Sequence, residues 1–139
     1  AMQRQLRTML LHTLLVAVGF SIVSWFVLPY LLSWIHNPVY THYLWLYPWV
    51  LFATVVNAVG MVPHYGLYAR GVDRPIIRSH IAALIVFPLT VWGLSRIQPV
   101  LAVPLGLNVA FLTILLWKAS AYFKAFRSDE AHAPIPQTT

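Results

Sequence analysis

The sequence predicts an all-α, multi-pass membrane protein with four transmembrane helices and both termini in the cytoplasm. Hydrophobic residues make up 60% of the 139 residues and charged residues only 9%, whereas soluble domains carry about a quarter charged residues. No Asp, Glu, Lys or Arg occurs in the 62 residues between Arg7 and Arg70. A soluble fold interrupts its apolar segments much sooner, so lipid is the expected solvent.

Four apolar segments are long enough to span a bilayer. They cover about residues 8–34, 43–69, 79–95 and 100–117. Together they form one transmembrane domain over residues 1–126, and the charged residues lie outside the four predicted helices. We expect residues 127–139 to form a disordered cytoplasmic tail, because Pro134 and Pro136 disfavour helix there.

The basic residues predict the orientation, because Lys and Arg concentrate in cytoplasmic loops. Eight of the nine fall on one predicted side: Arg4, Arg7, Arg70, Arg74, Arg78, Lys118, Lys124 and Arg127. Arg96 lies on the other side, where the first outer loop is flanked by Tyr and Trp residues typical of an interfacial belt. We therefore expect a protein of the cytoplasmic (inner) membrane with lipid as a partner. The net charge of +6 then serves orientation and not nucleic-acid binding.

A stripe of small residues marks the fourth predicted helix. Ala102, Gly106 and Ala110 recur at every fourth position, a spacing that lets a neighbouring helix backbone approach closely. We interpret the stripe as a helix-packing face, for helices of the same chain or of another. Small residues are also frequent in membrane helices without such a role.

Three polar side chains are candidate intramembrane contacts. Asn57 and Asn108 lie at mid-helix depth, so both should face protein or a water-filled cavity. An interhelical hydrogen bond is favoured over a substrate or ion path. His64 follows Pro63, where the backbone hydrogen bonding of a helix is interrupted. The six histidines include no pair spaced three or four residues apart, and no metal site is predicted.

The loop between the second and third predicted helices is basic. Arg70, Arg74 and Arg78 are candidate contacts for anionic lipid head groups or a pyrophosphate, although orientation in the membrane also explains them. Only three acidic residues occur in the chain. The sequence offers no paired carboxylates, no Ser-His-Asp triad and no glycine-rich phosphate-binding loop. We therefore expect no enzyme and no catalytic residue.

The same loop carries a family resemblance. Residues 67–75 read LYARGVDRP, follow an apolar helix and precede two short predicted helices joined by a tight turn. Together with the outer-loop segment IHNPVY at 35–40, this order resembles the C-terminal four-helix portion of polysaccharide and lipid-linked oligosaccharide flippases of the multidrug/oligosaccharidyl-lipid/polysaccharide exporter superfamily. The resemblance covers about residues 4–126. In that family an aromatic-Ala-x-Gly-Asp-like cytoplasmic loop lies between the tenth and eleventh helices, and here one extra residue separates Gly71 from Asp73.

The resemblance implies part of a membrane transporter that moves a lipid-linked oligosaccharide or polysaccharide precursor across the cytoplasmic membrane. It implies no tightly bound cofactor, and it implies a lipid-linked glycan and further transmembrane helices as partners. The family's Gly-rich turn before the last helix is replaced here by Gln98-Pro99 and Val103-Pro104. The alternative is a small standalone four-helix membrane protein that binds or stabilises a membrane complex through the Ala102–Gly106–Ala110 face.

The orientation can be tested with single cysteines, because the chain contains none. In intact cells, a membrane-impermeant thiol reagent should label Asn37→Cys and should leave Arg74→Cys unlabelled until the cells are opened. Labelling of position 74, but not of position 37, in intact cells would overturn the predicted topology.

Overall fold

The computed structural model describes residues 2–131, with side chains described for residues 4–128. In that part of the chain the regular structure is helical throughout. The helices are α1 (Met2–Ile35), α2 (Pro38–His42), a 3-10 turn (Leu44–Leu46), α3 (Tyr47–Tyr68), α4 (Arg74–Ser95) and α5 (Pro99–Ala131). Four of them, α1, α3, α4 and α5, are long and apolar enough to cross a membrane. The predicted all-α fold with four spanning helices is therefore confirmed.

The helices differ from the predicted segments mainly at their charged ends. The third spanning helix, α4, begins at Arg74, five residues before the predicted start, because Pro75 suits the first turn of a helix. The fourth spanning helix, α5, continues to Ala131, well beyond the predicted end at residue 117. Its continuation, residues 118–131, contains four alanines and no Gly or Pro, which favours helix without lipid. Residues 127–131, predicted to be disordered, belong to this helix, and residues 132–139 lie outside the described part.

Local capping explains where two of the helices end. After α1, His36 adopts a left-handed backbone conformation, and the side-chain oxygen of Asn37 accepts a hydrogen bond from the Val39 amide at 3.1 Å. This contact caps the short α2. After α3, Gly71 has a φ of +67°, and the Val72 amide donates to the Leu67 carbonyl at 3.1 Å. That pattern is a Schellman motif, which needs a residue tolerant of positive φ.

Contacts between side chains fix the directions of the helices. Tyr47 at the start of α3 bonds Ser24 in the second half of α1, and Leu6 near the start of α1 lies against Gly66 near the end of α3, so these helices are antiparallel. Near its start α3 contacts Asn108 of α5 through Trp49, and near its end it contacts the later Lys118 of α5 through His64. The two helices α3 and α5 are therefore parallel. The helix α4 runs antiparallel to α5. The start of α1, the α3–α4 loop and the end of α5 consequently share one end of the bundle, which we call the basic end.

The core lies where α5 packs between α3 and α4. Ala83 of α4 forms a buried cluster with Ala110 and Ile114 of α5, and the aromatic rings of Phe87 and Phe111 pack against it. The helix α1 lies along α3 at the edge of this three-helix unit. None of the described side chains of α1 is buried.

The small-residue stripe of α5 lies inside this core. Ala102, Gly106 and Ala110 are all buried. A Cβ added at Gly106 would lie 2.6 Å from Cγ2 of Val91 and 3.3 Å from Cε2 of Phe87, both on α4. Close backbone approach at Gly106 is therefore part of the α4–α5 contact, where van der Waals packing and not hydrophobic exclusion drives helix association in lipid.

We expect Gly106→Ala to lower the free energy of unfolding by about 1–3 kcal/mol, because the new methyl group overpacks this contact. The β-branched side chain of Val91 is stiff in a helix and cannot turn away easily. Gly93→Ala is the matched control, since a Cβ at this exposed position of α4 meets nothing within 4 Å. It should be neutral or stabilise by up to about 1 kcal/mol. Equilibrium unfolding of the two variants in micelles, followed by circular dichroism, checks both expectations.

Candidate functional site

A buried lysine lies near the basic end of the bundle. Lys118 of α5 is 1% exposed, and among the described residues it is the one charged side chain in the buried class. The sequence had placed Lys118 just after the last transmembrane helix, outside the bundle. That placement is wrong because α5 continues for another thirteen residues, to Ala131. An ammonium group in apolar surroundings is costly unless hydrogen bonds compensate for the lost water.

Two histidines supply those hydrogen bonds. Nζ of Lys118 lies 3.1 Å from Nδ1 of His64 on α3 and 3.2 Å from Nε2 of His80 on α4. We call these three residues the Lys–His cluster. An ammonium group carries donors only, so Lys118 in its charged form donates to both ring nitrogens. That arrangement requires two neutral histidines of opposite tautomer, with the ring proton on Nε2 of His64 and on Nδ1 of His80.

The Lys–His cluster has little negative charge around it. No carboxylate of the described residues forms an ion pair with Lys118, and Asp73 in the α3–α4 loop is the acidic residue that interacts electrostatically with His64. Ser79, the residue before His80, is buried, and its hydroxyl donates to the Ile76 carbonyl at 2.7 Å and not to the cluster. The cluster therefore presents net positive charge inside the bundle, which suits an anionic group and sets any added proton against a like charge.

The cluster is not arranged as a metal site. The described residues contain no group of three or more His, Cys, Asp or Glu side chains that could surround an ion. A structural zinc site needs four such ligands and a catalytic one needs three. Here the two ring nitrogens of the cluster already face the ammonium group of Lys118.

The three predicted arginines do not converge on one pocket. The guanidinium carbon of Arg70 lies 5.1 Å from the ring centre of Tyr122 and 5.5 Å from that of Phe126, both on α5. Cation–π contact of this kind ties the α3–α4 loop to the extended end of α5. Arg74 and Arg78 are exposed in the first two turns of α4, and their four-residue spacing places them on the same helix face.

The two asparagines have opposite surroundings. Asn108 is buried, and its side-chain amide donates to the carbonyls of Trp49 on α3 and Pro104 on α5, each at 2.8 Å. Asn57 was expected to face protein or a cavity, but its side chain is exposed on α3. Among the described residues it makes no side-chain hydrogen bond. The hydrophobic face of α3 toward α5 is already filled by Ala53, Val56 and Gly60, which leaves Asn57 on the outer surface.

An apolar groove lies away from the Lys–His cluster. It opens sideways between α1 and α3, has a volume of about 440 Å³, and is lined by His12, Thr13, Val16, Ala17, Phe20, Thr54, Val55 and Ala58. Most of this lining is apolar. The groove and the cluster are therefore separate features.

Comparison with protein-family models, with curated proteins and with solved structures finds no match. The chemistry of the described residues and the pattern of the sequence are accordingly the basis for a functional proposal.

The asparagines provide a paired test of intramembrane hydrogen bonding. We expect Asn108→Leu to destabilise the protein by about 0.5–2 kcal/mol, because it removes the hydrogen bond that joins α5 to the start of α3. Asn57→Leu should be neutral or slightly stabilising in a single chain, because it removes an exposed polar group that lacks a side-chain partner. Unfolding of both variants in micelles measures the difference, and equal losses would contradict the assignment.

Proposed function

We propose that the chain is part of a membrane transporter that moves a lipid-linked oligosaccharide or polysaccharide precursor across the cytoplasmic membrane. The observation that carries the proposal is the Lys–His cluster, an ionisable group of three side chains held between three spanning helices. Ionisable residues inside membrane helices are expensive to maintain and mark substrate pathways, ion pathways or proton relays. The resemblance of residues 67–75 to the flippase loop supports the same class of protein.

The charge of the basic end suits such a substrate. A lipid-linked glycan carries its negative charge on the phosphate or pyrophosphate between lipid and sugar, and Lys and Arg side chains bind such groups. Arg74 and Arg78 offer exposed guanidinium groups at the basic end, and Lys118 adds a positive charge deeper in the bundle. The positive-inside rule supports a cytoplasmic position for this end, so the precursor would meet these groups where it is made.

A second candidate is a small four-helix protein that binds or stabilises a membrane complex, through a surface other than the Ala102–Gly106–Ala110 face, which is buried inside the bundle. The exposed Asn57 favours it, because an amide in hydrocarbon gains from a partner on another helix. The described side chains of α1 are all at least partly exposed, which leaves that side of the bundle available to further helices. In the transporter proposal the same side would contact the remaining helices of the transporter.

Lys118→Met tests the proposed function. Methionine has a similar shape, and replacing a buried charge by an apolar side chain is often neutral or stabilising, so the variant should accumulate in the membrane normally. We expect export of the glycan precursor to fall about tenfold or more, because a hydrogen bond to a charged group contributes about 1.5–3 kcal/mol. Surface glycan and precursor retained in the inner leaflet are the two quantities to measure in the source cells.

Lys124→Met is the matched control, because Lys124 is an exposed lysine on the same helix. It should export at the level of the unmodified protein. Normal export by Lys118→Met, at an equal amount of protein in the membrane, would contradict a role for the cluster in transport. Loss of a membrane complex in Asn57→Leu, with export unchanged, would instead favour the second candidate.

A further inference from the structure

We infer that the Lys–His cluster is a proton-binding site, and that binding a proton there separates α5 from α3 and α4 at the basic end. Any consequence of this movement for glycan export rests on the proposed function. The proton binding and the helix movement do not, because they follow from the described contacts of the chain itself.

Hydrogen-bond geometry sets how many protons the cluster accepts in the packed state. Lys118 donates to one nitrogen of each imidazole ring, and the other ring nitrogen already carries a hydrogen. An additional proton from water must therefore bind to Nδ1 of His64 or to Nε2 of His80. That nitrogen changes from acceptor to donor, so its hydrogen bond to Nζ is lost and two positive charges face each other at about 3 Å.

The surroundings offer little to neutralise the second charge. On α3 the facing group is His64, on α4 it is His80, and on α5 it is Lys118, while the adjoining loop contributes Asp73. On α1, Arg4 and Arg7 are exposed and bring no negative charge. Repulsion between like charges is weakly screened in an apolar bundle. Separation of the helices, which admits water between the charges, relieves it.

Access to the cluster is through the histidines. His80 is exposed and His64 is half-buried, whereas Lys118 is buried. Histidine is also the side chain whose ordinary pKa lies near physiological pH. Water at the basic end therefore meets the cluster at the rings, and a proton binds as the ring nitrogen exchanges its hydrogen bond with Lys118 for one with water.

The rest of the bundle determines where the separation occurs. Away from the basic end, Asn108 bonds the Trp49 carbonyl of α3, and Gly106 lies in close contact with Val91 of α4. These contacts contain no group that titrates near neutral pH, so they hold α5 against α3 and α4 at the end away from the cluster. The movement is consequently a tilt of α5 that opens the basic end and leaves the opposite end closed.

Distances between paired spin labels can detect this tilt in the full chain reconstituted in lipid nanodiscs. The chain has no cysteine, so labels attach only at introduced positions. Ile77→Cys on α4 and Phe123→Cys on α5 are exposed positions at the basic end. Their separation should increase by about 2 Å or more, with a broader distribution, between about pH 7.5 and about pH 5. The control pair Leu89→Cys and Val103→Cys, exposed on the same two helices toward the other end, should keep its distance.

Glutamine variants assign the response to the cluster. In His64→Gln/His80→Gln each amide oxygen can still accept from Lys118 but cannot bind a proton in this range, so the distance should be the same at both pH values. Each single variant should show a reduced response, and His36→Gln, in the loop after α1, should respond like the parent. A distance at about pH 7.5 equal to that of the parent shows that a variant is folded.

Two results would overturn the inference. One is an unchanged distance between the basic-end labels at both pH values in the parent. The other is a full response in the double glutamine variant or in both single variants. Neither result depends on export, so a proton site that fails this test leaves the Lys118→Met export test intact. Conversely, normal export by Lys118→Met together with a pH-dependent distance would reject the transport role and retain the proton site.

Discussion

A lysine side chain inside a helix bundle needs hydrogen-bond acceptors, because no water is at hand to supply them. Lys118 meets this requirement with one imidazole from α3 and one from α4. The need of a single ammonium group therefore links the three helices that form the core. Removing one acceptor would leave a buried charge uncompensated, which is more damaging than removing the charge itself. Lys118 consequently depends on the two acceptors more than they depend on it.

The two ends of the core are held by different forces. Near the basic end, the Lys–His cluster and the contact of Arg70 with Tyr122 and Phe126 depend on charge. Toward the other end, the Asn108 hydrogen bonds and the close contact at Gly106 depend on neutral hydrogen bonding and shape. A change of proton concentration acts on the Lys–His cluster through its two histidines and leaves the Asn108 and Gly106 contacts unaffected. The bundle thus has a responsive end and an inert end.

The sequence was sufficient to predict the four spanning helices, because apolar runs of this length without charge are typical of membrane helices and of little else. It was also sufficient to select Asn108 and His64 as polar groups in the bundle. It misplaced Lys118, because hydropathy locates the region matched to lipid and says nothing about where helical hydrogen bonding stops. The partners of Lys118 lie 54 and 38 positions away in the chain, and one sequence contains no signal for contacts at such separations. Asn57 was misjudged for a related reason, since helix periodicity does not say which face meets the neighbouring helix.

The length of α5 amplifies its displacement. The helix is anchored by Asn108, the Lys–His cluster acts on it ten residues later, and it ends at Ala131. At 1.5 Å per residue, the cluster lies about 15 Å and the helix end about 35 Å from the anchor. A rigid rod pivoting at Asn108 would therefore move its tip more than twice as far as Lys118 itself moves. A shift at the cluster is therefore more than doubled at the tip of α5, where it changes the contacts of the helix with a neighbouring protein or a lipid head group.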